Sequence, residues 1–381
     1  MATVKLDIAL PILQWIYSSY AEKIDENLTM KINTWISGAQ KPTFTEIENL
    51  SKKTKIPFGY FFLNEPPKED LPILEYRTVD SAEIANPSRE LIDTVSYMEF
   101  VQGYLREFRR DIGYGKCEAV GAGKNLSIQD FTKRIREVLT LEKEWYKGAR
   151  GELFNLLRSK LEDVGVVIMK NGIVANNTRR ALNYREFRAF TMIDSYAPLI
   201  FINSTDTNNG QIFSLLHEFA HILLGESNFY NARISGTNTS RNNEIICNAV
   251  TAEILVPSDI FCVKWEQERD IFKLADYFCC SAIVVARKAL DSNYINQSKY
   301  DDVCKFVIQK ADESREKRKE QESGGNFYNT AKSRIDRNFL EAVYIGVSEG
   351  KITYTEAYRL TNTKRTSFMG LIDQMALGGV V

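Results

Sequence analysis

Apolar residues recur at helical spacing along most of the chain, and only one central stretch shows the shorter runs of strands. Near the N-terminus, Ile12, Trp15 and Ile16 follow Pro11, and Ile32, Trp35 and Ile36 lead up to Gly38. Each set reads as a short helix, with proline suited to the first turn and glycine to the stop. A third helix is expected after Pro42, with Thr43 or Thr45 as cap and Phe44, Ile47 and Leu50 on one face. Pro57 ends it, and the aromatic run from Phe58 to Leu63 reads as buried. The segment EPPKEDLPI (65–73) is a proline-rich, extended connector.

Helical spacing resumes from Ser88 to Arg110, through Leu91, Val95, Met98, Val101, Leu105 and Phe108. It returns from Ser127 to Leu161 as one long helical region, broken by Asp163-Val164-Gly165. Val166 to Met169, Phe187 to Ile193 and Pro198 to Asn203 are short apolar runs bounded by turn residues, which predicts a small sheet. Helices follow over Gln211–Leu224, stopped by Gly225, and over Asn243–Leu255, stopped by Pro257. Leu274 to Leu290 reads as a helical pair, and 311–326 as a charged helix end and linker. Ile335 to Met375 carries two or three small helices. The pattern as a whole is α+β and predominantly helical.

Chemistry concentrates in the helix that follows the sheet, where LLHEFAHILLG contains His217-Glu218-Phe219-Ala220-His221. Two histidines four apart lie on one helix face, one turn from each other, so both imidazoles can bind one ion. Glu218 adjoins that face and is placed to take a proton from water rather than to bind metal. These are the only two histidines of 381 residues, and random placement would put them four apart about once in 190 trials. The alternative, two histidines merely packed on a buried helix face, leaves the intervening Glu218 unexplained.

A catalytic zinc commonly takes three protein ligands, and with no histidine left the third must be an acid or a cysteine. Glu244 is well placed on the following helix, with Asn248 one turn later as a supporting hydrogen-bonding group. Glu253 and Cys247 remain competitors, the first read also as a helix-end acid and the second as a core thiol. Tyr230 and Arg241, between the two ligand helices, are candidates by position for stabilising an oxyanion.

Charge changes the picture little. Lys and Arg number 49 against 50 Asp and Glu, a net charge of −1, so no global field draws the chain to nucleic acid. Apolar residues make up 44% and charged residues 26%, the mix of a soluble globular protein. No apolar run reaches the roughly 18 residues needed to span a bilayer, and the N-terminus lacks a cleavage site, so a cytoplasmic location without membrane contact is expected. Six cysteines form no CxxC pair and are expected to be reduced and mostly buried.

HEFAHILLG followed by EIICNAVTAEILVP resembles the ImmA/IrrE family of bacterial and phage metallopeptidases. EFRAFTMID and APLIFIN upstream, and LADYFCCSAIVVARKAL downstream, extend the similarity over about 151–295. INTWISGAQKPTFTEIENLSKKTKIPFGYFFL is similar to an XRE-type, Cro/repressor-like helix-turn-helix, although Lys31 and Asn33 are the only residues in its recognition region suited to reading bases. The resemblance implies an N-terminal helix-turn-helix segment with connector (1–80), a helical linker (81–150), a zincin-like peptidase domain (151–310) and a charged linker with a C-terminal helical extension (311–381). It further implies Zn2+ held by His217, His221 and Glu244, with Glu218 as general base. The implied substrate is a partner regulator, an XRE-type repressor or antitoxin encoded nearby, whose cleavage relieves repression in a stress or mobile-element response. Two other readings stand beside it: a DNA-binding transcriptional regulator, and the toxin of a toxin–antitoxin pair using the same zinc chemistry.

Overall fold

The computed structural model describes residues 4–20, 24–67, 87–148, 151–225, 238–320 and 333–376, with backbone alone for 238–241, 317–320 and 374–376. The chain divides into two compact units, Met1–Leu71 with Ala85–Asp93, and Pro72–Ile84 with Thr94–Val381. Most of the connector read at 65–73, and the linker beyond Glu320, fall outside the described residues.

The first unit holds α1 (Leu10–Ser19), α2 (Glu26–Ile36), α3 (Phe44–Thr54) and a 3₁₀ turn over Phe58–Phe62. Thr43 caps α3 in a reciprocal box with Glu46, an arrangement that satisfies two helix-end donors at once. Ile12, Ile16, Ile32, Trp35, Ile47, Leu50 and Phe61 form its core. The expected aromatic burial over Phe58 to Leu63 is corrected: Phe61 alone is fully buried, while Phe62 and Leu63 are exposed. Five residues in a 3₁₀ turn point around three sides, so one cannot bury them all.

The second unit takes most of α4 (Arg89–Asp111), then α5 (Ile128–Val138) and α6 (Leu153–Asp163). The single long helix read over 127–161 is thus two. Thr140 turns left-handed at φ 46°, and the Leu141 N–H returns to the Arg136 carbonyl at 2.8 Å, a Schellman-type stop made without glycine. Trp145 and Tyr146, which extend the apolar spacing, are buried in the turn that follows.

A three-stranded sheet comes next, β1 (Val167–Asn171), β2 (Ala189–Met192) and β3 (Leu199–Asn203), in the order β1-β3-β2. β1 runs parallel to β3 with Val167 opposite Leu199, and β2 antiparallel to it with Met192 opposite Leu199. Helix α7 (Asn208–Leu224) packs on β2 and β3, and α8 (Asn238–Leu255) packs on α7. α8 begins five residues before the expected start, because its polar NTSRN opening carries no apolar period. Helices α9 (Ser258–Gln267), α10 (Ile271–Phe278), α11 (Ala282–Asp291) and α12 (Gln297–Glu320) follow, and α13 (Arg337–Ser348), α14 (Tyr354–Leu360) and α15 (Arg365–Ala376) close the described chain. The 311–320 stretch read as a helix end therefore continues a long helix. Among the described residues no single helix is long and apolar enough to cross a membrane. Of the six cysteines, Cys117, Cys247 and Cys280 are buried, Cys262 is exposed and Cys279 and Cys304 are intermediate, with no disulfide. The expectation of mostly buried thiols holds for half of them.

The outer edge of β1 is closed by side chains. Asp336 accepts from the Ile168 N–H at 2.8 Å and also caps α13 through Phe339 N–H at 2.9 Å. Arg158 donates to the Ile168 carbonyl at 3.2 Å, to the Ser333 carbonyl at 2.7 Å and to Glu162 at 2.8 Å. Full burial, with the nearby Glu162 charge, pushes the Asp336 carboxyl up to about 7 despite the two N–H donors and Arg158. A folded-state value raised above the ordinary one means stability present at low pH and lost as pH rises through 7. Asp336→Asn removes one acceptor and is expected to cost about 1–3 kcal/mol at pH 5, with the difference from wild type shrinking toward pH 8. Urea unfolding at the two pH values measures it; a pH-independent difference would contradict the assignment.

Candidate metal centre

Helix α7 is built to be buried. Thr207 caps it by accepting from Gly210 N–H at 3.1 Å, and fourteen of its seventeen residues are buried, Gly210 to Leu224 except Phe213. Gly225 stops it at φ 64°, where a Cβ would come within 2.6 Å of Gly121 Cα. That contact shows what lies across the helix end. The N–H groups of Gly121 and Gly123 bond the Ile222 and Leu223 carbonyls at 3.1 and 2.8 Å, so a loop from another part of the chain satisfies carbonyls that a helix end leaves open. No periodicity signals that loop, and it was missed in the sequence.

Near the middle of α7, His217 and His221 bring their Nε2 atoms to 3.1 Å of each other. Glu244 on α8 completes the group, with Oε1 3.1 Å from His221 Nε2 and Oε2 3.3 Å from His217 Nε2. These three residues can hold a metal ion: one ligand atom from each lies within 4.8 Å of the others. Three donors placed about 2.0–2.1 Å from a tetrahedral centre would stand roughly 3.3 Å apart, close to the edges found here. Burial raises the Glu244 carboxyl, but its contacts with His217 and His221 outweigh that and hold it far below the ordinary carboxylate range.

The remaining sequence candidates separate clearly. Glu218 is buried beside His217 on α7, and its main-chain carbonyl accepts from Thr191 Oγ1 on β2 at 3.3 Å. Glu253 lies away from the triad: it accepts from Ser258 N–H at 2.9 Å and Oγ at 2.6 Å and pairs with Lys288. It is a helix-end acid. Cys247 is packed in the hydrophobic core. Asn248 lines a cavity one turn beyond Glu244. Tyr230 and the Arg241 side chain lie outside the described residues.

Thr191 was not singled out in the sequence, and neither was Phe213, whose ring stacks near His217 with centroids 6.1 Å apart. Both belong to periodic apolar segments, where nothing distinguishes a site neighbour from a core residue. β2 is the other outer strand of the sheet, and among the described residues no further strand pairs with it. Arg188 O accepts from Asn203 N–H at 2.9 Å, and antiparallel alternation then turns the main-chain groups of Ala189 and Thr191 away from β3.

Residues 161–290 match the family model of the IrrE N-terminal-like domain, a metallopeptidase family, and residues 335–374 match that of a domain of unknown function (DUF8813). No curated protein and no solved structure matches the chain. The first match supports a metallopeptidase of the ImmA/IrrE type, and it spans every residue of the triad. Metal analysis of the purified protein is expected to find about one equivalent, falling severalfold or more in His221→Ala and Glu244→Ala and unchanged in Glu253→Ala. Retention of metal by Glu244→Ala would remove Glu244 from the ligand set.

Proposed function

We propose that the chain is a zinc-dependent endopeptidase that cleaves a specific regulatory protein. The observation that carries this reading is the triangle of His217, His221 and Glu244 donors, with the buried Glu218 next to His217 and its helix packed on the outer strand β2. When bound, zinc would supply Lewis-acid polarisation and bring the pKa of a water to about 7. The donor set, two neutral imidazoles and one carboxylate, suits zinc over the harder cations that prefer oxygen alone.

Glu218 is the proton carrier. Its carboxylate takes the proton from the water that attacks the scissile carbonyl and passes it to the leaving amine nitrogen. Thr191 links the β2 edge to the backbone of this residue, so an extended chain added to that edge would run past Glu218. The main-chain groups of the part-exposed Thr191 would supply hydrogen bonds for such a chain. The other sheet edge is closed at Ile168 by Asp336 and Arg158, which leaves β2 as the place for addition.

The partner is read as an XRE-type repressor or antitoxin encoded nearby, with relief of repression as the consequence; this step rests on the sequence resemblance. The DNA-reading alternative has less support. Its support is the XRE-like segment, and the net charge of −1 supplies no global field toward nucleic acid. The toxin reading uses the same chemistry on another substrate. Co-expression with the neighbouring regulator is expected to yield its cleavage by wild type and a loss of about 100-fold or more in Glu218→Gln, with metal content kept. Undiminished cleavage in that variant would end the mechanism.

A further inference from the structure

Beside the triad lies a cavity of about 980 Å3. α7 and α8 form one wall through Phe213, Ile245 and Ala249, and α11 and α12 form the other through Val284 and Val307. Two contacts join it to the metal centre. The Phe213 ring faces His217 at an interplanar angle of 26°, and Asn248 stands one turn beyond Glu244. One turn of helix, about 6 Å, corresponds to about two residues of extended chain. Asn248 on the cavity lining therefore lies about two extended residues from Glu244 along α8.

The rim of this apolar space is cationic. Arg185, Arg188, Arg287 and Arg315 line it, against Asp206 and Asp291, with Asp312 bound to two of the arginines. Arg188 and Arg315 are committed to structure. Both reach the buried Asp206, at 3.4 and 3.1 Å, and Arg315 also lies 3.5 Å over the Tyr184 ring and bonds the Thr205 carbonyl. Arg315 fastens α12, and Arg188 the start of β2, to the segment before α7. Arg185 and Arg287 differ: they are 64% and 58% exposed, and each pairs with one partly exposed aspartate, Asp312 and Asp291. Exposed pairs such as Arg287–Asp291 are worth about 0–1 kcal/mol, so a ligand carboxylate can replace Asp291 at little cost. Asp312 is also held by Tyr184 and Arg315, which leaves the exposed face of Arg185 to a second acceptor. The first turn of α11, at Ser281 and Ile283, also faces the cavity and adds the positive end of its dipole.

We propose that this cavity receives the substrate, as a segment with two or three bulky apolar residues accompanied by an aspartate or glutamate. The size is at the upper end for small-molecule pockets, roughly 300–1,000 Å3, and fits several side chains. The proposal rests on the peptidase reading for its orientation, and its test is kept separate from that reading. Labelled decapeptides of three kinds serve as probes: acidic-apolar, basic with the same apolar residues, and acidic without apolar residues. Fluorescence anisotropy is read on full-length Glu218→Gln protein loaded with zinc. The acidic-apolar probe is expected to bind about tenfold or more tightly than either control. Adding Ala249→Trp, which fills the floor, or the pair Arg185→Glu and Arg287→Glu on the exposed rim, is expected to abolish that preference with metal content unchanged. Equal binding of the three probes, or a preference that survives the rim pair, overturns the proposal. If Ala249→Trp does not fold, the rim pair alone decides it. Probe binding that persists where cleavage never depends on Glu218 would instead overturn the peptidase reading and leave the cavity assignment standing.

Discussion

Helix α7 runs through the core with almost no residue reaching solvent, yet it carries two imidazoles and a carboxylate there. Polar groups in such a position cost several kcal/mol each unless partners satisfy them. The surrounding structure is arranged to meet that demand. α8 brings Glu244 to the two imidazoles, Thr191 reaches from β2 to the Glu218 carbonyl, and the loop at Gly121 and Gly123 takes the last carbonyls of the helix. Gly225 is required because any Cβ there would strike that loop. Sheet, loop and second helix are all placed by the need to bury α7 with its polar cargo.

The same logic separates the two sides of the sheet. At β1, both main-chain groups of Ile168 are taken by side chains, and the buried Arg158–Glu162 pair and Asp336 anchor the start of α13. Breaking such a buried network by removing one member typically costs about 3–5 kcal/mol. Tyr104 and Tyr97 on α4 add bonds to the Ala342 and Leu360 carbonyls at 3.0 and 2.6 Å. The three C-terminal helices are thus part of the second unit's framework. An exposed sheet edge invites pairing with another chain, and at β1 these side chains take up the groups that would pair.

The sequence revealed the elements well where periodicity was long and ended at a strong signal. Gly225 and Pro257 marked the ends of α7 and α8, and β2 and β3 fell within the apolar runs that predicted them, while β1 runs two residues past its own, through Lys170 and Asn171. It misled where a stop was made by unusual chemistry, as at Thr140 in a left-handed turn, or where a helix began in polar residues, as α8 does. For the centre itself, the spacing of His217 and His221 was legible because helical geometry converts four residues into one face. Glu244 needed tertiary information: spacing left Glu253 open, and only the Ser258 and Lys288 contacts show it engaged elsewhere. The arginine rim was invisible, because Arg185, Arg188, Arg287 and Arg315 are scattered over 130 positions and meet only through the packing of α7, α11 and α12.

A contrast between the two buried polar clusters bears on what each is for. Around Arg158 every close contact matches a donor with an acceptor: guanidinium N–H groups to carbonyls and to Glu162, and backbone N–H groups to Asp336. Such a network is complete by itself and serves stability or specificity of packing. Around His217 the atoms that face one another are two imidazole nitrogens and a carboxylate. At most one proton fits between the two Nε2 atoms, and protonating both rings would bury two cations against one anion. Three lone-pair donors converging within 3.3 Å are a poor hydrogen-bond network and a good coordination set. A shared cation would turn their mutual repulsion into attraction, which makes this cluster, and not the better-bonded one, the candidate metal centre.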